Sequence, residues 1–267
     1  MPQTCLPTDN TYLNILMEPL AVCKQYRPKF GHGAGLTLVE YQTLYQSDPF
    51  YAWFGLDSPL LYAAHKASGG MTSLYRQIGI GCQRLIQRII MDTLGHTVEQ
   101  STWSYQATKR DGKVQTLSLD GRILIKAVPD QARRPALKKW LRAASKATGT
   151  ANDVRQILKG AVFEVRQGYK SKDSKRQNAD LANAATAYAE AYLPVLLMLS
   201  MQIDDDIAYR YTNARWLILR GTTTGSALTS TYVFCRDELG YDLAGFFERN
   251  SHPLKPEVEV ILEKLLT

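Results

Sequence analysis

The chain has 267 residues, with 32 Lys and Arg against 25 Asp and Glu, a formal net charge of +7 and 45% hydrophobic residues. That length is enough for one large core with peripheral additions, and the positive balance favours polyanionic partners such as nucleic acid or an anionic surface. A membrane-spanning chain is excluded as an expectation, because the most apolar run, Ala191 to Ile203, is too short for a bilayer and is followed at once by Asp204, Asp205 and Asp206.

The start, MPQTCLPTDN, has neither the basic nor the apolar region of a secretory leader, so a cytoplasmic protein is expected. Cys5, Cys23, Cys82 and Cys235 form no CxxC pair and the histidines show no zinc spacing, which predicts reduced structural thiols. Within the first seventy or so residues, YLNILMEPLAVC and LTLVEYQTLYQ read as short helices around the loop KFGHGAGL. Its glycines do not fit a phosphate-binding GxGxxG after a strand and carry no chemistry. A helix is predicted from about Thr72 to Leu94, where Leu74, Ile78, Leu85, Ile86, Ile89 and Ile90 recur at helical spacing and Gly95 supplies a stop. Gln83 lies within it and reads as a surface residue.

TWSYQA and KVQTLSLDGRILIKAV are rich in aromatic and β-branched residues and flank an Asp111-Gly112 turn, the signature of a β-hairpin. Pro129-Asp130-Gln131 reads as the turn that starts the next helix, RRPALKKWLRAASKATG, in which Arg134, Lys138, Arg142 and Lys146 form a basic stripe opposite Leu137, Trp140, Leu141 and Ala144. Such a stripe suits either solvent or a phosphate backbone. A strand follows at 161 to 169, with Glu164 and Arg166 on the face opposite Phe163 and Val165. Beyond it a long helix is expected from about Ala179 to Ile203, interrupted near Pro194, and then a strand in ARWLILRG. The order of elements predicts an α/β fold with a central mixed sheet flanked by helices.

Asp120 and Glu164 fall on elements that can be neighbours in one sheet, and paired carboxylates suit a hard cation such as Mg2+. The structural alternative is an Arg-Glu pair satisfying itself at a strand end. The basic run Lys170, Lys172, Lys175 and Arg176 after Glu164 favours a site that gathers a metal and a polyanion together, as phosphodiester hydrolysis requires.

SLDGRI followed by FEVRQGYKSKDSKRQNAD resembles the PD-(D/E)xK nuclease superfamily, in which an acid on a hairpin strand and a (D/E)xK on the next strand bind metal. The run GYKSKDSKRQNADLANA is similar to type II restriction endonucleases of the ApaLI-like group. The resemblance covers about residues 72 to 222. It implies a helical addition over 1–71 on a catalytic region over 72–267, a homodimer in a prokaryotic cytoplasm, and Mg2+-dependent cleavage of double-stranded DNA at a specific site. On it Asp120 and Glu164 become the metal ligands, Arg166 and Lys170 complete the catalytic set, and Lys172, Lys175, Arg176, Arg134, Lys138 and Arg142 hold the DNA. It also implies that Gln83 falls where the first core helix of many such enzymes carries an acid.

Two departures stand out. Arg166 occupies the lysine position and stays protonated, so it cannot act as a general base, and Lys170 lies four residues farther on. The literal Pro-Asp pair is Pro129-Asp130, which makes Asp130 the rival of Asp120. Two other function classes remain: a DNA-binding protein without catalysis, and a prenyl-transfer enzyme using the acids of IDDDIAYR, although Asp204 to Asp206 read as a solvated helix end.

Overall fold

The computed structural model describes residues 7–30, 34–108, 111–168 and 174–266, arranged in two compact units, 7–81 with 249–266 and 82–248. The first unit is helical. It holds α1 (Pro7–Met17), a 3-10 segment (Glu18–Gln25), α2 (Leu38–Gln46), α3 (Pro49–Trp53), the first part of α4 (Pro59–Leu94) and the final stretch of the chain's last helix. Thr37 caps α2 in a reciprocal capping box with Glu40, and Asp48 caps α3 ahead of Pro49. Leu20, Cys23, Leu74, Ile261 and Leu265 form its apolar core. Beside this core Tyr41, fully buried, packs against Phe30 and Tyr45 with ring centroids 4.5 and 4.4 Å away. Asp9, also fully buried, accepts hydrogen bonds from Arg249 Nε at 3.0 Å and from Asn250 Nδ2 at 3.3 Å.

Helix α4 begins well before the expected Thr72, running through Gly69 and Gly70. Glycine pairs usually interrupt helices, but here packing requires them. A Cβ at Gly69 would collide with the Tyr26 hydroxyl, and one at Gly70 with the Leu265 side chain. The end agrees with the sequence: Gly95 adopts φ +64°, the left-handed conformation that closes a helix.

In the second unit, α4 from residue 82 buries Leu85, Ile86, Ile89 and Ile90 completely. The short α5 (Val98–Ser101) leads to the predicted hairpin, β1 (Trp103–Thr108) and β2 (Val114–Leu119), paired antiparallel as a two-stranded sheet. The chain breaks at Asp120 and resumes as β3 (Gly121–Leu124), which joins a different sheet, so the expected continuous second strand is divided between two sheets. After it come the basic α6 (Arg134–Ala147), α7 (Asn152–Ile157), β4 (Gly160–Arg166), α8 (Ser174–Ala189), β5 (Tyr192–Met198), α9 (Asp205–Asn213), β6 (Leu217–Leu219), α10 (Thr231–Asp237) and α11 (Leu243–Leu266). The four-stranded sheet has the order β3-β4-β5-β6, with β3 antiparallel to β4 and the other neighbours parallel. The expected mixed sheet with flanking helices and a helical N-terminal region is thus present.

The long helix expected from Ala179 to Ile203 does not form. Its second half is β5, an interior parallel strand buried along its whole length. A strand covered on both faces reads as a continuous apolar run, and so mimics a core helix in sequence. Ala191, at φ +64°, separates it from α8. Pro194 is tolerated because the ladder to β6 begins only at Val195. Thr231 donates its hydroxyl hydrogen bond toward the carbonyls of Met198 and Leu219, 2.7 and 3.1 Å away, and so ties the ends of β5 and β6. Among the described residues no helix is long and apolar enough to cross a membrane. Cys82 and Cys235 are buried free thiols, and burial pushes both up to about 12, the chemistry of inert structural cysteines.

Candidate functional site

Strand β4 is buried throughout, including Glu164 and Arg166, which follow its alternation onto one face while Phe163 and Val165 take the other. Two charged residues in an interior strand need partners close by. Arg166 supplies one: its guanidinium is ion-paired with Glu164 Oε1 and donates to Asp180 Oδ2 of α8 at 3.2 Å. Tyr211 of α9 donates its hydroxyl to the same Asp180 oxygen. One helical turn on from Asp180, buried Asn183 accepts from Tyr105 of the hairpin at 2.8 Å.

Asp120 enters this assembly from the break between β2 and β3. Its amide donates to Phe163 O at 2.8 Å, while its Oδ2 accepts from Val165 N at 2.8 Å and from Gln83 Nε2 of α4 at 3.1 Å. Asp120 is therefore bonded to both residues that flank Glu164. Burial pushes its carboxyl above the ordinary carboxylate value. The Val165 amide and the Arg166 charge oppose that rise, and the Asp180 charge adds to it. Acids have accumulated around one arginine at the end of β4.

The residues expected at the site fare differently. Asp120, Glu164 and Arg166 are brought together. Asp130 is exposed and accepts from Ala132 N at 2.9 Å, capping the turn before α6. Lys170 and Lys172 lie outside the described residues; Lys175 and Arg176 belong to the first turn of α8. On α6, Lys138 and Arg142 are exposed and line, with Arg134 and Lys139, a surface groove of about 470 Å³. Arg134 also donates to Val128 O at 2.7 Å, so part of its work is to anchor the helix start. Asp204 to Asp206 open α9, with the Asp204 side chain accepting from Asp206 N at 3.0 Å. They start a helix after a strand, whereas the sequence placed them at the end of a helix. The chain carries a four-stranded sheet, so the all-helical setting expected of a prenyl-transfer site is not the one observed.

Sequence reasoning undervalued Gln83, which is half-buried and bonded to Asp120. It missed Asp180 and Tyr211 altogether. Asp180 and Asn183 stand at helical spacing, a buried polar pair on α8, but that spacing does not name Arg166 or Tyr105 as their partners.

A metal would find hard oxygen donors here. Both hydrogen bonds received by Asp120 fall on Oδ2, leaving Oδ1 to face another partner, whereas Glu164 is engaged by Arg166. Among the described residues no group of three or more His, Cys, Asp or Glu could hold an ion alone. A divalent cation bound here would have to take one or two carboxylates and complete its shell with water and substrate phosphate. Comparison with protein-family models, curated proteins and solved structures gave no match for the chain.

Proposed function

We propose that the protein hydrolyses phosphodiester bonds of double-stranded DNA at a specific site, as a type II restriction endonuclease of the PD-(D/E)xK kind. The observation that carries this reading is the bonding of Asp120 to both neighbours of Glu164, with Gln83 of the preceding helix on the same carboxylate. Asp120 Oδ1 and Glu164 would hold Mg2+, which supplies charge neutralisation and an activated water when bound. Arg166 keeps its proton and serves by donating to the phosphate as negative charge builds. For Glu164 to become available, its guanidinium partner must lean toward Asp180 or the phosphate, an exchange the paired carboxylates permit. The α6 groove with Lys138, Lys139 and Arg142 is suited to hold the DNA backbone. A homodimer would match a palindromic site.

Digestion of phage DNA with Mg2+ tests the reading: discrete fragments are expected, abolished by EDTA and by Glu164→Gln. A smear would remove the site specificity. Intact DNA bound in a gel shift would favour the second reading, a DNA-binding protein in which the Arg166 pairs with Glu164 and Asp180 are purely structural.

A further inference from the structure

The helical unit contains a pocket of about 560 Å³ whose lining includes Lys24, Arg27, Lys66 and Lys264 and, among the described residues, no carboxylate. That volume falls within the usual range for small-molecule sites, about 300–1,000 Å³. Gathering like charges around one concavity costs free energy unless an anion is drawn in. Two acids act at its margin. Glu257 pairs with Lys24, and the Glu40 carboxylate, already in the α2 capping box, feels the Arg27 charge. Neither reaches Lys66 or Lys264 through an ion pair among the described residues.

The walls are built rather than incidental. Tyr26 seats its hydroxyl against Gly69, and Arg27 lies against Gly35, where in each case a Cβ would collide with it. Tyr62, the remaining aromatic wall, is fixed by donating its hydroxyl to Leu36 O at 2.9 Å. Lysines act as mobile point charges and arginine as a planar fork, a combination that matches clustered phosphate oxygens better than a single carboxylate. Two tyrosine rings add faces on which a base can stack.

We infer that this pocket, with Lys24, Arg27, Lys66 and Lys264 around Tyr26 and Tyr62, binds a polyphosphate group, from a nucleoside triphosphate or from a nucleic acid backbone. The inference does not depend on cleavage activity. Calorimetric titration of the full chain, in EDTA and low salt, uses sodium tripolyphosphate, ATP and a short DNA duplex of arbitrary sequence as probes. Saturable binding of tripolyphosphate or ATP is expected, weakened by about tenfold or more in Arg27→Gln with Lys66→Gln. Lys66→Arg should keep it. Gly69→Ala displaces the Tyr26 hydroxyl and should lower affinity. If only the duplex responds to the double substitution, the phosphates are those of nucleic acid. Equal binding by wild type and double variant for every probe, or no binding by any, overturns the inference.

Discussion

Arg249 and Arg166 are both nearly buried and both face carboxylates, yet they sit in different kinds of company. In the helical unit Asp9 accepts from the Arg249 guanidinium and from the neutral amide of Asn250. In the sheet unit Arg166 is shared by Glu164 and Asp180, with Asp120 close enough for the Arg166 and Asp180 charges to act on its carboxyl. A matched pair ties a chain terminus to a distant helix. Buried carboxylates gathered around an arginine are costly to fold, and buried charge clusters of this kind recur at sites that work on ligands. The contrast supplies a test of the proposed site that does not depend on any motif.

The sharpest way to break the comparison is to neutralise one acid in each. Glu164→Gln should lower DNA cleavage by about a thousandfold or more while leaving the urea midpoint close to wild type, measured by digestion and equilibrium unfolding. If cleavage and stability fall together, the Arg166 assembly is structural too. Asp9→Ala should do the reverse, costing about 3–5 kcal/mol through the stranded Arg249 with unchanged activity per folded molecule.

Asp120→Asn sharpens the comparison through pH. Burial raises the Asp120 carboxyl above the ordinary carboxylate value, so its ionisation opposes folding. The stability associated with the neutral carboxyl is complete below that value and is lost as pH rises through the raised one. The asparagine variant should therefore gain on wild type across that window, read as a widening gap in thermal midpoint. His96 moves the opposite way. It is buried, which lowers its basicity, and its Nε2 accepts from Leu124 N at 3.2 Å. The stability of this neutral ring is present above the ordinary imidazole value and lost as pH falls through the lowered one, so His96→Gln should flatten that part of the acid limb. The smallest effect belongs to the α6 groove: Lys138→Ala should weaken DNA binding on all sequences and lower the log-log salt slope by about one.

Much of the arrangement was legible in residue order. The Asp111-Gly112 turn announced the hairpin, the stripe from Arg134 to Lys146 announced α6, and the alternation around Glu164 placed both charged residues of β4 on one face. What failed did so for identifiable reasons. Burial on both faces hid β5, because a doubly covered strand lacks the alternation that distinguishes strand from helix. The helix start was expected at about Thr72, whereas the contacts that accommodate Gly69 and Gly70 inside it, Tyr26 and Leu265, are remote in sequence. Gln83 and Asp180 reach the site only through tertiary packing, from helices whose local pattern gives no sign of Asp120 or Arg166.

The order β3-β4-β5-β6 puts the long apolar strands inside the sheet and leaves at its borders β3, only four residues, and β6, only three. Past the end of β6, Arg220 is already bridged to Ser230. Short borders offer little template for another chain to extend the sheet. The four-stranded sheet is thereby shielded from edge-to-edge association, and its hazard moves to the time of synthesis. Until β6 docks, β5 presents its open ladder side as an exposed hydrophobic strand. Slowing translation or lowering temperature during expression should therefore raise the yield of usable protein more than any stabilisation of the finished fold.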